Sequence, residues 1–406
     1  MAPNGTGKRV RYWRLRRGLT RREFAERVGR SPSWVDKIES GERVLERLPV
    51  LEQVAAVLGV SVDALTQRSA PAVISCIDGV ELAAIRAALQ RVQAVTDLYP
   101  PQHSTTAPNL PRLRQQIRYV WTAFQNAHYS VLGAQLPRLL IDAQQAVSAV
   151  DEPLRSEACA VASMTYQVTA STLWKLRETD LAWIAAERGF QCAEHAGDPV
   201  LISDAARRMA HGLMAVGHHG PALALLRADM DRLDGLLGQA DAELLSVYGM
   251  LPLMGAVVAS RLQDEPAARD LLAAGTSTAV RLGEDRNERW TAFGPTNAAL
   301  HTVSVLVDLG APAEAVAVAK QVNPGGLDLL PRERRACHLV DVARAEMACG
   351  HRREALGVLL DADRLAPEEV ACRPMGREVV ENLRERWPQR APVELTRLAT
   401  RAGLPT

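Results

Sequence analysis

LTRREFAERVGRSPSWVDKIESGER, residues 19–43, contains the signals that begin and end two short helices. Thr20, with a glutamate three residues later, forms a capping box that begins a helix, and Gly29 is typical of its C-terminal end. Ser31 is the next N-cap, and Pro32 takes the first helical position, where the missing N–H of proline costs nothing. Two short helices joined by so tight a turn predict a helix-turn-helix unit.

The flanking residues complete a small helical domain. KRVRYWRLRRG (8–18) predicts a helix that ends at Gly18, and LERLPVLEQVAAVLGVSVDALT (45–66) predicts a fourth helix and a short fifth one capped by Ser61. Apolar residues recur at helical spacing in every segment, which predicts one shared core. The predicted core residues are Leu15, Leu19, Phe24, Ala25, Val28, Val35, Ile38, Leu51, Val54, Ala55, Leu58, Val62 and Leu65. The sequence therefore predicts a five-helix domain over residues 1–68.

Charge is distributed unevenly along the chain. The net charge of the 406 residues is +1, but residues 1–68 contain 14 Lys and Arg against 8 Asp and Glu, a net charge of +6. The remaining residues contain 34 basic and 39 acidic side chains, a net charge of −5. A basic domain attached to an acidic one favours a polyanion such as nucleic acid as the partner of the basic domain.

The N-terminal domain resembles a known family. LRRGLTRREFAERVGRSPSWVDKIESGER followed by LEQVAAVLGVSVDAL is similar to the Cro/repressor-type (XRE) helix-turn-helix domain, over residues 10–66. Two positions depart from the family pattern: Arg21 stands where glutamine is usual, and Trp34 stands where small or amide residues are usual. The resemblance implies binding to a double-stranded DNA operator, by a homodimer when the operator is near-palindromic.

The resemblance also implies roles for individual residues. The exposed start of the second helix of the motif enters the major groove in this family, which places base-edge contacts at Pro32, Ser33, Trp34 and Lys37. Phosphate contacts are expected at Arg21, Ser40 and Arg43.

Other residues of this domain have a structural or an open interpretation. Arg14 and Glu39 match the internal ion pair of the family, which ties the first helix to the third. Trp34 has two interpretations, contact with DNA or packing on the first helix. Three further arginines either bind phosphate or lie on a solvated face: Arg16, Arg17 and Arg22.

The rest of the chain is predicted to be helical throughout. Residues 69–111 read as a linker with one amphipathic helix, and residues 112–406 show helical periods with no strand pattern. VGHHGPALALL, LGAPAEAVAVAKQVNP and CGHRREALGVLLDADRLAP resemble the second helix of tetratricopeptide (TPR) units, although the match is degenerate. The prediction is an all-α chain whose body is an α-solenoid of five or six TPR-like hairpins; an irregular helical bundle is the alternative.

One polar segment interrupts the hairpin rhythm. GEDRNERWTAFGPTNAALH (283–301) resembles a segment of actinobacterial regulators, and it predicts a ligand pocket that opens onto the arc. The candidate contacts are Arg289, Trp290, Asn297 and His301. The alternative is a long loop whose polar groups cap neighbouring helices. Four aromatic residues either line the same cavity or fill core: Tyr166, Trp174, Trp183 and Tyr248.

No catalytic or metal-binding pattern is present in the sequence. The six cysteines include no C-x-x-C pair, and the nine histidines form no H-E-x-x-H motif. We therefore expect reduced, buried cysteines, no catalytic residues, no metal and no cofactor. The basic N-terminus is not followed by an apolar signal region, and no uninterrupted apolar run is long enough to cross a membrane, so we expect a cytoplasmic protein.

These features predict a transcriptional regulator. Its N-terminal domain binds DNA, and its TPR-like body senses a small signalling molecule or peptide and changes the DNA affinity, as the layout resembles bacterial quorum-sensing regulators. The alternative is a TPR scaffold that binds a protein partner, in the manner of antitoxin-like or phosphatase-regulating proteins, with DNA binding secondary.

Overall fold

The computed structural model describes residues 5–66, 77–91, 109–152, 154–388 and 390–404, without the side chain of residue 63. All regular elements in these residues are helices, which confirms the all-α prediction. The chain divides into two compact units, one made of Met1–Val73 with Ile77–Ala83, the other of Ile74–Cys76 with Ala84–Thr406. We call their described parts the head and the body.

The head begins with five short helices. They are α1 (Gly5–Arg16), α2 (Arg21–Val28), α3 (Pro32–Ser40), α4 (Leu48–Leu58) and α5 (Val62–Thr66). The caps are those that the sequence predicts: the Thr20 hydroxyl accepts from the backbone N–H of Glu23, and the Ser31 hydroxyl accepts from the N–H of the third residue of α3. Gly29 ends α2 at φ 67°, a left-handed conformation that glycine adopts without strain.

Most of the predicted core residues of the head are buried, while Val62 is half-buried against the core and Leu15 lies outside it. Phe24, Val35 and the other predicted residues of α2, α3 and α4 are buried, but Leu15 is 57% exposed. The prediction for Leu15 is wrong because Val10 and Trp13 supply the inward face of α1, and a residue two positions after Trp13 lies about 200° further around the helix.

A sixth helix joins the two units. The division between them falls within α6 (Gly79–Gln90), so its first turn belongs to the head and the remainder to the body. In the body, Ile85 and Leu89 of α6 are fully buried. Of the predicted linker, residues 69–111, the parts 69–76 and 92–108 lie outside the described residues.

The body consists of antiparallel helical hairpins. Six hairpins are formed by α7 (Leu110–Gln125) with α8 (Tyr129–Ser148), α9 (Leu154–Lys175) with α10 (Thr179–Ala196), α11 (Pro199–Ala215) with α12 (His219–Asp234), α13 (Ala242–Arg261) with α14 (Glu265–Leu282), α15 (Pro295–Asp308) with α16 (Pro312–Gln321), and α18 (Arg332–Ala348) with α19 (Arg352–Leu365). Shorter helices complete the body: α17 (Pro324–Leu329), α20 (Pro367–Ala371), α21 (Pro374–Glu385) and α22 (Val393–Arg401). The last two pair as a short terminal hairpin.

The hairpins stack as a solenoid that curls on itself. The first helices of successive hairpins, α7, α9, α11, α13, α15 and α18, pack side by side as an inner layer. Helix α18 also contacts α7, so the sixth hairpin of the body meets the first. The inner layer is therefore wrapped around a central space instead of lining an open arc.

Helix α13 is long and apolar enough to cross a membrane by length and composition, with a mean hydropathy of 1.6 in its most apolar window. The sequence did not single this window out. Of that window, 78% is buried inside the body, where α13 is packed between the neighbouring inner helices. This burial is typical of a helix in the core of a folded domain, so α13 is a core helix of the body.

The cysteines follow the expectation only in part. Cys159 and Cys337 are buried free thiols, and Cys192 and Cys349 are half-buried free thiols. Cys372 is disulfide-bonded, so the expectation of a reduced thiol is wrong there. The absence of a C-x-x-C pair carries no information about which thiols, distant in sequence, meet in the fold. Cys76 lies outside the described residues.

Candidate functional site

The first candidate site is the exposed face of α3. The five residues that share this face or the turn after it and that the sequence assigned to DNA contact are exposed: Pro32, Ser33, Lys37, Ser40 and Arg43. Their backbone is held by the Ser31 cap at one end and by Gly41, at φ 87°, at the other. An exposed, capped helix with polar side chains on its outer face can enter the major groove of DNA.

The inner face of α3 is tied to α1 by a buried ion pair. The Arg14 Nε donates to Glu39 Oε1 at 2.5 Å, and its Nη2 donates to Oε2 at 3.1 Å. Burial alone would raise the pKa of Glu39, but the hydrogen bonds from Arg14 and Arg21 lower it below the ordinary value. Gly7 strengthens the same contact, because a Cβ there would lie 2.0 Å from the carbonyl oxygen of Ile38, so only glycine allows this close approach.

Arg21, the predicted phosphate contact at the start of α2, is engaged inside the head. Its Nε donates to Glu39 Oε2 at 3.0 Å, and its Nη2 lies 3.3 Å from Asp36 Oδ1. The side chain remains 45% exposed. Asp36 is itself exposed on α3, so a phosphate approaching Arg21 would have to compete with this carboxylate.

Trp34 packs within the head, as one of the two interpretations that the sequence left open requires. Its indole is half-buried and packs against the core of the head. The guanidinium of Arg30 lies over the ring, 5.7 Å from its centroid. Arg30 is exposed in the turn between α2 and α3, and sequence reasoning missed it; its only signal was a basic residue directly before the second N-cap. The indole of Trp34 therefore lies between the core of the head and the guanidinium of Arg30.

The second candidate site is a cavity at the centre of the body. Its volume is about 170 Å³, and it is enclosed by all six inner helices, which contribute Phe124, Trp174, Met214, Met250, Leu300 and Cys337 among others. A second, outer space of about 510 Å³ shares six lining residues with it: Trp174, Lys175, Met214, Arg261, Arg373 and Met375. The two spaces are parts of one recess.

The lining of the cavity is strongly cationic. It includes six basic side chains, Lys175, Arg207, Arg208, Arg261, Arg334 and Arg373, and only two carboxylates, Glu333 and Asp341. Lys175 pairs with Glu333, Arg261 with Asp308 and Arg373 with Glu369, whereas Arg207 and Arg208 share one carboxylate. That partner is Asp204, whose Oδ1 lies 2.5 Å from Arg207 Nη2 and 3.8 Å from Arg208 Nη2.

Burial and the positive charge around this cavity lower the pKa values of two histidines that line it. Burial, followed by Arg207, Arg208 and Arg334, lowers the pKa of His211 well below its ordinary value. Burial and Arg334 likewise lower the pKa of His301 to about 3. Both rings are therefore neutral at physiological pH, and the fixed positive charge comes from the arginines.

The four ligand contacts predicted on segment 283–301 do not converge on the cavity. His301 lines it, but Arg289 pairs with Asp198 Oδ2 at 2.7 Å and with Glu243. Trp290 is stacked on Trp121 at 5.2 Å between ring centroids. The fourth residue, Asn297, is fully buried, with its amide nitrogen 3.4 Å from the backbone carbonyl of Thr291.

Segment 283–301 instead bridges parts of the body. Its Asn287 exchanges two hydrogen bonds of 2.9 Å with Gln125 on α7. Arg289, Trp290 and Ala292 have φ of 48°, 55° and 51°, a left-handed conformation that is strained for residues with a Cβ. Such strain persists only where surrounding contacts fix the segment. These contacts match the alternative interpretation, a loop whose polar groups bond to neighbouring helices.

Of the four aromatic residues left open between cavity and core, Trp174 lines the cavity and stacks on His211 at 4.8 Å between centroids. Tyr166 lines a separate surface recess of about 270 Å³. Trp183 and Tyr248 are half-buried, Trp183 against Gly212 and Tyr248 against the core of the body.

A buried polar network closes the ring of inner helices. Lys175 Nζ on α9 contacts Glu333 on α18 and lies 2.9 Å from Glu369 Oε1. The Tyr129 hydroxyl on α8 donates to the same Glu369 oxygen at 2.6 Å. Glu333, Cys337 and Glu369 offer three possible metal ligands within 4.8 Å of one another, but the Lys175 ammonium already supplies the cation that these carboxylates need.

Sequence reasoning missed the basic residues of the cavity. Their signal was present in ARRMAH (206–211) and RERRACH (332–338), where charged residues and a histidine occur within helices that are otherwise buried. Buried positions of this kind rarely hold unpaired charges without a functional reason.

Comparison with known proteins supports the identification of the head. Residues 7–68 match the family model described as a helix-turn-helix domain, which confirms the prediction made from residues 10–66. No curated protein matches the chain. Among solved structures, the crystal structure of Bacillus thuringiensis PlcR in complex with the peptide PapR7 and DNA is 14% identical, over 69% of this chain and 96% of that chain. Its TM-score is 0.28, and a likeness of that size carries no argument about fold or function.

Proposed function

We propose that this protein is a DNA-binding transcriptional regulator. The observation that carries the proposal is α3, a capped helix of a helix-turn-helix domain that presents Ser33 and Lys37 to solvent while Val35 and Ile38 anchor it in the core. A lysine on this face can bind the O6 and N7 acceptors of guanine. The excess of basic residues over residues 1–68 supplies the attraction to the phosphate backbone.

The proposal includes a homodimer on a near-palindromic operator and a small molecule or peptide as the effector of the body. The support for an effector is the central recess, whose apolar walls and convergent polar groups have the composition of a ligand site. The same recess disfavours the scaffold alternative, because a body that closes on itself offers no open inner groove to an extended protein partner.

DNA binding is tested by selection of genomic fragments, including the protein's own promoter region, on the immobilised full-length chain. Recovered fragments are then assayed by mobility shift at moderate salt, because nonspecific phosphate binding fades steeply there. We expect a few fragments with a shared motif and half-sites about one helical turn apart. If no sequence-specific complex survives moderate salt, the chain is not an operator-binding regulator.

The effector is tested by thermal shift of the full-length protein with fractionated culture extracts. A ligand that binds the folded state only raises the melting temperature by mass action. A fraction that does so should also change operator affinity, since an effector couples the two sites reciprocally. A fraction that stabilises the protein and leaves operator affinity unchanged contradicts the effector role.

A further inference from the structure

Three arginines that line the central recess, two of them buried and one half-buried, outnumber the carboxylates around them. Arg207 and Arg208 are 3% and 8% exposed, and they share one carboxylate, Asp204. Arg334, on α18, makes no hydrogen bond or ion pair with any residue in the described parts of the chain. Burial of unpaired charge is costly, so an arrangement of this kind needs compensation.

The free donors of these arginines lie where the recess narrows. The Nε atoms of Arg207, Arg208 and Arg334 are buried and lack a hydrogen-bond partner among the described residues. All three side chains line the central cavity and also the small pocket of about 20 Å³ behind it. Water can satisfy such N–H groups, but it cannot neutralise charge. The carboxylates that act on these arginines are Asp204 and Glu333, and Glu333 is already paired with Lys175, so positive charge remains in excess.

The side chain of Arg208 is held in position by aromatic packing, which leaves its guanidinium able to bind an oxyanion. Its guanidinium lies over the face of Trp121, 5.1 Å from the ring centroid, and Trp121 is stacked on Trp290. Burial and the neighbouring Arg207 lower the pKa of Arg208 to about 9, which is the electrostatic response of a crowded cationic site. An oxyanion is the group that matches several fixed guanidinium forks, because carboxylates and phosphates accept paired N–H donors.

The remainder of the recess has different chemistry. Next to the arginines the walls are formed by methionine and leucine side chains, Met214, Met250, Met254 and Leu300, and the space continues into the outer recess of about 510 Å³. Flexible methionine side chains adapt to irregular apolar ligands. The recess therefore joins a cationic floor to an apolar channel that leads outward.

We propose that the effector of this protein is a small amphipathic acid, whose single carboxylate or phosphate group binds Arg207, Arg208 and Arg334 and whose apolar part lies along the methionine-lined channel. The inference rests on the proposed function, because it names the chemical class of the ligand for the same recess. It does not depend on DNA binding.

The test is calorimetric titration of the full-length protein, without DNA, with octanoate, octyl phosphate and the neutral octanamide. We expect binding of at least one acid and none of the amide; the stronger of the two acids identifies the oxyanion that the site prefers. Arg334→Gln should weaken that binding at least about tenfold, the effect of losing one charged hydrogen-bonding partner. The matched control is Arg353→Gln, which removes an exposed charge from the sixth hairpin outside the recess and should leave binding unchanged.

A second readout does not depend on the choice of probe. Because Arg334 forms no ion pair with any described residue and repels Arg208, while Glu333 keeps Lys175 as its partner, Arg334→Gln should leave the melting temperature of the ligand-free protein unchanged or raise it. A marked fall in melting temperature would make Arg334 structural and would overturn the proposal. Equal binding of octanamide, binding that Arg334→Gln does not alter, or no binding of either acid would also overturn it. None of these outcomes bears on operator binding, which is measured with variants of α3.

Discussion

Trp34 illustrates how far single residues can be interpreted from sequence. The pattern of α3 correctly predicted Val35 and Ile38 as core and left Trp34 on the outer side. It did not predict that a large indole at the edge of that face reaches the core of the head, where the structure finds it half-buried beneath Arg30. The reach of a side chain depends on its rotamer and neighbours, and sequence spacing gives only its direction.

Lys37→Ala should weaken operator binding without affecting the fold. Its side chain is exposed on α3, so the substitution removes mainly a base or phosphate contact, about 1–3 kcal/mol if it binds guanine. Trp34→Ala should lower operator affinity and also destabilise the head by about 1–2 kcal/mol, because a half-buried indole is lost. Mobility shift and amide hydrogen exchange of residues 5–66 separate the two effects. If amide hydrogen exchange of the head is unchanged in Trp34→Ala, Trp34 does not stabilise the head, and its only role is contact with DNA.

Glu39→Gln should destabilise the head by about 3 kcal/mol, because it leaves the Arg14 guanidinium buried without a counter-charge. Glu26→Gln is the control, since Glu26 forms only an exposed pair with Arg22.

The lowered pKa of Glu39 also makes the stability of the head depend on pH. A carboxylate with a depressed folded-state pKa stabilises the fold above its ordinary value of 4.5, and that contribution is lost as the pH falls through the folded-state pKa. Opening free energies from hydrogen exchange of α1 and α3 should therefore decline below about pH 4.5 in the parent protein, and less in Glu39→Gln.

At the scale of elements, the helices of the head were predictable and segment 283–301 was not. Thr20, Ser31, Gly29 and Gly41 are local signals, and each stands where the structure begins or ends a helix. Segment 283–301 takes its conformation from distant contacts, such as Asn287 with Gln125 on α7, which no local pattern encodes. The sequence correctly showed that the segment is polar. It did not show which residues of the body would form hydrogen bonds and ion pairs with those polar groups.

Gly249→Ala tests what fixes this segment. The ring of Phe293 is fully buried against Gly249 on α13, and a Cβ there would lie 2.0 Å from its Cζ. Overpacking of this kind costs about 1–3 kcal/mol, so the variant should melt earlier and expose the segment to proteolysis. Gly357→Ala, in α19 where a Cβ meets nothing within 4 Å, should be neutral or stabilising by up to about 1 kcal/mol. Equal melting temperatures for the parent and Gly249→Ala would show that Phe293 can repack.

At the scale of the molecule, the all-α class and the helical repeat of the body followed from periodicity, but closure of the inner helices did not. A buried ion-pair network joins Lys175 to Glu333 and Glu369, residues that lie far apart in the chain and that no motif singled out. Each looked like an ordinary charged residue of a helix. Their buried positions become apparent only when α9 of the second hairpin is brought against α18 and α20.

Lys175→Met should destabilise the body by about 3–5 kcal/mol, because two buried carboxylates lose their cation. Tyr129→Phe removes one hydrogen bond to Glu369 and should cost only about 1–2 kcal/mol. Lys320→Met, on the exposed face of α16, should change stability by less than about 0.5 kcal/mol. Urea unfolding followed by hydrogen exchange of α9 and α18 measures all three. A loss confined to α9 would show that the ring stays closed without this pair.

The stack of Arg208, Trp121 and Trp290 gives the protein an internal optical reporter. Trp121 is 1% exposed, with a guanidinium charge on one face and a parallel indole on the other, so its emission depends on the local electric field. An oxyanion that engages Arg208 would change that field without touching Trp121. Intrinsic fluorescence should therefore shift on titration with octanoate in the parent protein and respond much less in Trp121→Phe. Intrinsic fluorescence would then measure ligand binding to the recess in unlabelled protein, either free or bound to DNA.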